Sequence, residues 1–146
     1  MADTTLAALG SSVIVSPDND EEIIPALGNG ALYPGDLVSI ATATGRVVGA
    51  DLGGSELVSG IIMEHPVLGT DAVITTDLAC SIVIPRSGHR YRCRCKDLNA
   101  ATEIGSGLDI SDTAGKLDAA ADINNAICTV SLPNADGDTI VEVRWR

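Results

Sequence analysis

The chain has 146 residues, a formal charge of −11 and a pI near 4.3, and it is 45% hydrophobic but only 2% aromatic, with no Phe. The length fits one domain with a sizeable core. The acidic balance argues against a general coat for phosphate backbones, the lack of aromatic platforms argues against stacking on single strands or sugars, and no apolar run reaches the ~18 residues of a spanning helix.

Residues 1–30 differ from the rest. Leu6-Ala7-Ala8-Leu9 can make a helical turn and Ser12–Ser16 a short strand, whereas Pro17, the acidic run Asp18–Glu22, Pro25 and the Gly28-Asn29-Gly30 turn oppose any longer element. This segment is expected to be an arm that packs across its own domain or reaches a neighbouring subunit, and whose loss leaves the remaining domain folded. Its start lacks the basic region of a secretory signal, so synthesis in a cytoplasm is expected.

From Ala31 onward short strands alternate with Gly-rich turns, which predicts an all-β fold, a small barrel or sandwich over residues 31–146. Candidate strands are Asp36–Ile40, Arg46–Ala50, Leu57–Met63, Ala72–Thr75, Leu78–Ile84, Arg90–Lys96, Leu108–Ile110, Lys116–Asp118, Ala126–Ser131 and Thr139–Arg146. Only Ala100–Ile104 and Ala119–Ile123 could add a helical turn, and both are too short to stand alone. Within Gly105–Ser131 a strand turns through Asp112-Thr113-Ala114-Gly115 and is followed by a closing strand. Gly35–Ile62 echoes this meander, with Leu37 in the place of Leu108, Gly45 in that of Gly115 and Asp51 in that of Asp122.

Five of the nine basic residues fall in Arg86–Lys96. Strand alternation sends Arg90, Arg92, Arg94 and Lys96 to one face and Tyr91, Cys93 and Cys95 to the core. The basic row either pairs with carboxylates of its own acidic chain or meets an acidic partner, for which the planar guanidinium fork is suited. Cys80, Cys93, Cys95 and Cys128 match no zinc or disulfide spacing and are expected as buried small hydrophobes. Cys93, Cys95, His89 and Cys80 could be imagined around a metal, without support from their spacing. The acidic run and Asp136-Gly137-Asp138 complete no calcium loop. With His65 and His89 the only histidines, and no nucleophile elbow or phosphate loop, no catalytic residue, cofactor or metal is expected.

Tyr33-Pro34-Gly35-Asp36-Leu37-Val38, then Leu57–Ile62, then Gly107–Leu117, then Asp136-Gly137-Asp138 and the closing Val141-Glu142-Val143-Arg144, taken in order, resemble the head decoration or cement proteins of tailed bacteriophages and related archaeal viruses. The resemblance implies a small β-barrel or β-tulip domain that forms a homotrimer on the outer capsid surface of the virion, bound to the major capsid protein, with no catalysis; nucleic acid and membrane are not expected as partners, on the charge and hydropathy given above. It also gives the arm a task. The expected partner-binding residues are Leu6, Leu9, Val13 and Ile14 of the arm, Arg90, Arg92 and Arg94 of the basic strand, and Trp145, which serves either as an interface anchor or as a barrel plug. The alternatives from other classes are a β module of a tail or surface adhesin and a small thiol- or metal-dependent enzyme.

Overall fold

The computed structural model describes residues 12–15, 21–41, 44–51, 58–69, 73–96, 103–120, 124, 126–132 and 140–146. Their elements are β1 (Glu22–Leu27), β2 (Leu37–Ile40), β3 (Val47–Gly49), β4 (Gly60–Ile62), β5 (Ala79–Ile84), β6 (Arg90–Arg94), β7 (Gly107–Ile110), β8 (Leu117–Ala119), β9 (Cys128–Leu132) and β10 (Ile140–Trp145). The all-β expectation holds. No helix among the described residues is long and apolar enough to cross a membrane.

The strands form two antiparallel five-stranded sheets, ordered β1-β5-β4-β2-β3 and β6-β10-β9-β7-β8. Adding five to each strand of the first order reproduces the second, so the two halves of the chain follow one plan. Matching hairpin registers put Val38 with Leu108, Ile40 with Ile110 and Val47 with Leu117. The echo read from the sequence is therefore a repeat of five strands. Gly45 and Gly115 correspond as expected, both with positive φ, at 70° and 82°. Leu108 corresponds to Val38, however, one residue beyond the Leu37 assigned from the sequence. Alternation explains the slip, because Val38 faces the interior of its own half while Leu37 points out against the other half. Asp122, the proposed counterpart of Asp51, lies outside the described residues, as do residues 121–123 and 100–102 of the two possible helical turns.

The edges of each sheet meet at a parallel bridge, Gly28↔Val47 in the first half and Cys95↔Leu117 in the second. The Asn29 N–H donates to the Val47 carbonyl at 3.0 Å, and the Lys96 N–H to the Leu117 carbonyl at 2.8 Å. Each sheet thus curls back on itself. A Cβ at Gly28 would stand 2.8 Å from both Ile74 Cγ2 and the Thr75 carbonyl oxygen. Since a backbone oxygen cannot rotate away, Gly28→Ala is expected to destabilise the protein by about 1–3 kcal/mol, read as a lower denaturant midpoint at unchanged slope.

Two corrections concern the elements. Residues 22–27, assigned to the arm, form β1, which pairs with β5 at every position from Glu22↔Ile84 to Leu27↔Ala79. Pro25 is tolerated because in this register its nitrogen points away from β5, where no ladder bond is lost. In the candidate strand Ala72–Thr75, the described residues make only the bridge Leu32↔Ile74, with bonds of 2.9 and 2.6 Å between Leu32 and Ile74.

The core forms two clusters. Leu32, Val38, Val47, Ile62, Ile74, Cys80 and Ile82 fill the first half. Tyr91, Cys93, Cys95, Leu108, Leu117, Cys128, Val130, Val141 and Val143 fill the second, and this cluster also takes in Val13, Leu37, Ala50, Ile61 and Val83 from the N-terminal side. The outward face of the β2-β4-β5 layer is therefore the joint between the halves.

Candidate functional site

The basic strand β6 lies at an edge of the second sheet, and its free side is covered by residues 12–15. Ile14 bridges Tyr91, the Arg92 N–H donates to the Val13 carbonyl at 2.7 Å, and the Val15 N–H donates to the Arg90 carbonyl at 3.1 Å. The predicted alternation is correct, since Tyr91, Cys93 and Cys95 are fully buried. The three arginines point the other way, and all three engage their own chain. Arg90 faces the Glu142 carboxylate at 3.6 Å, Arg92 donates from Nη1 to the Ser12 carbonyl at 3.0 Å, and Arg94 lies over the Tyr33 ring, 4.8 Å from its centroid. Arg94 Nε also meets Asp36 Oδ1 at 3.5 Å. That separation is too long for a hydrogen bond, and both atoms are buried without one.

Val13, expected at a partner surface, is fully buried in its own core, because its extended segment lies along β6 and presents this side chain inward. Glu64 fixes that segment, accepting from the Val13 N–H at 3.2 Å and from the Ser12 hydroxyl at 3.4 Å. Ile14 packs on the same cluster, as does Trp145, whose ring meets that of Tyr91 edge-on at 6.3 Å and 85°. Trp145 also lines an open hollow of about 410 Å³ with Val58, Asp109, Ile127 and Arg146. Leu6 and Leu9 lie outside the described residues.

The structure thus gathers Val13, Ile14, Arg90, Arg92 and Trp145 around Tyr91. The sequence reading missed the carboxylates that organise the region. Glu21, just before β1, accepts from the Tyr91 hydroxyl at 2.8 Å and pairs with His89. Burial raises the Tyr91 hydroxyl above its ordinary value and the Glu21 carboxylate adds to the effect, which leaves Tyr91 a donor. Asp36 stands just before β2 at the joint, accepting from the Tyr33 N–H at 2.7 Å. Burial pushes its carboxyl up from 3.8 to about 7, against the Tyr33 N–H and the Arg94 charge, which pull it down. The available signals were an Asp after Pro-Gly and a Glu within an acidic run, which read equally well as solvated turns.

Chemically, this arrangement binds and braces. Cys93 and Cys128 are buried and their thiols held far above the ordinary range, so neither offers a thiolate. Cys80 belongs to the other cluster and His89 is engaged by Glu21, so the four groups imagined around a metal are separated. Among the described residues no group of three His, Cys, Asp or Glu could hold an ion.

Neither a protein-family model nor a curated protein sequence matches this chain. Among solved structures it is similar to the head fiber gp8.5 N base of bacteriophage phi29, with a TM-score of 0.53 and 8% identity over 86% of this chain and 94% of that one. At this identity the likeness is one of fold, and it spans both halves of the chain.

Proposed function

We propose that this protein is a structural, non-enzymatic component of a tailed-virus head, bound as a homotrimer to the major capsid protein on the outer surface of the shell, which it stabilises. The observation that carries this reading is the fold shared with a phage head fiber base along most of both chains. The side-chain chemistry agrees with it. The arginines, the buried carboxylates and Tyr91 hold the body together, while the thiols sit in apolar cores. A subunit repeated over a shell needs a rigid body and modest contacts multiplied by symmetry, not a reactive group. The test is to mix the purified chain with head shells of the virus that encodes it, pellet the shells and image them by cryo-electron microscopy. Saturable density on the outer surface, with shells surviving at higher temperature, is expected. Protein left in the supernatant at saturating shell concentrations overturns the reading.

A further inference from the structure

The repeated plan allows the halves to be compared position by position. Since Ile24 faces Ile82 as Tyr91 faces Val143, the outward residues of β1 occupy the places of the arginine row, with Ile23 for Arg90, Pro25 for Arg92 and Leu27 for Arg94. In the second half this side is covered by residues 12–15, Asp36 and Tyr33. In the first half the corresponding side is apolar and open, with Ile23 49% and Leu27 43% exposed.

The neighbouring turn His65–Gly69 continues that surface. Val67 and Leu68 stand at its tip, 84% and 55% exposed. The turn is braced from within. His65 and Gly69 exchange backbone hydrogen bonds at 3.2 and 3.0 Å, and the N–H groups of Val67 and Leu68 both donate to His65 Nδ1, at 3.1 and 3.0 Å. Two aliphatic side chains are thus presented to solvent on a preorganised turn, which limits the ordering cost of docking them. Beside them Pro25, Pro66, Ala79 and Ser81 line an open hollow of about 290 Å³.

We infer that the outward face of β1 together with the His65–Gly69 turn is the surface on which a second copy of this chain docks; this deepens the homotrimer reading and rests on it. Two observations select a second copy, and a third limits how it docks. Projection and hollow lie side by side in one patch, so the projection of one copy can enter the hollow of the next and three copies can close a ring. Ile23, Pro25, Leu27, Pro66, Val67, Leu68 and Ala79 carry no charge on a chain of −11, so two copies can meet there without burying like charges. The mode of contact is also limited, because Pro25 has no N–H where Arg92 donates to Val13, and a further strand cannot extend the ladder there. Docking therefore runs through side chains and stays specific to this patch.

Sedimentation velocity of the full chain across the micromolar range tests this. The wild type is expected to associate, and the paired variants Ile23→Ser/Leu27→Ser and Val67→Ser/Leu68→Ser each to weaken association by about tenfold or more. Thermal unfolding of the variants should stay close to that of wild type at dilutions where both are monomeric, because the altered side chains are exposed. His65→Asn, whose side-chain oxygen can accept the same two N–H groups, is expected to retain association, whereas His65→Ala weakens it. A wild type that is monomeric throughout overturns both this inference and the trimer. Variants that associate as tightly as wild type overturn the inference alone, and association through this patch without shell binding overturns only the capsid reading.

Discussion

A chain lacking residues 1–30 is expected to show no cooperative unfolding transition, although a strand-rich sequence remains. The truncation removes β1 and with it all six register positions along β5, the Gly28↔Val47 bridge that closes the first sheet, and Val13 from the second core. It also leaves the buried Tyr91 hydroxyl without its Glu21 acceptor. Uncovering an apolar sheet, opening a cavity at Val13 and orphaning a buried donor each cost on the order of 1–5 kcal/mol, against a total stability of about 5–15 kcal/mol for a typical domain. A chain beginning at Ser12 keeps every contact described above and is expected to retain a cooperative transition. Calorimetry of both truncations checks this, and a cooperative transition at the wild-type temperature after loss of residues 1–30 would show that β1 is dispensable.

The second large effect is a dependence on pH centred on Asp36. Its carboxyl is raised in the folded protein from 3.8 to about 7, chiefly by burial. Below pH 3.8 both folded and unfolded chains hold the proton. Between there and pH 7 the unfolded chain releases it while the folded chain retains it, so stability declines as pH rises and then levels off. At about 1.4 kcal/mol per pKa unit, a rise of roughly three units corresponds to on the order of 4 kcal/mol. Exposed pairs such as Asp112 with Lys96, where the lysine holds the carboxyl down, act with the opposite sign. The informative quantity is therefore the difference between wild type and Asp36→Asn. Denaturant unfolding from pH 4 to 8 should show that difference shifting in favour of the Asn variant as pH rises, and a constant difference would mean that Asp36 does not titrate in this window.

Much of the fold was legible because alternation was strong where one face is buried. β6 is the clearest case, with Tyr91, Cys93 and Cys95 inward and the arginines outward. β1 was illegible for a local reason, because a proline within a run normally marks a break and the edge position that excuses Pro25 is a tertiary fact. The repeat showed only as a three-strand echo because the matching interior positions differ widely in size, with Ile24 against Tyr91, Ala26 against Cys93 and Gly60 against Cys128. Each half reaches its own packing with different residues. The bracing of the basic row was half legible. Its charge and direction follow from the sequence, but partners such as Glu142 and Asp36 come from other strands, and the choice between internal pairing and an outside surface required the topology.

Leu37, Ile61 and Val83 belong by sequence to the first sheet, yet they sit in the core of the second. Two units of identical plan could in principle melt one after the other, like links of a chain. Here the earlier unit supplies part of the later unit's interior, so the later unit lacks a complete inside when alone and the earlier one would bare Leu37, Ile61 and Val83 to water. Heat, denaturant or mechanical load should meet a single barrier, with no long-lived half-open species for a protease to cut.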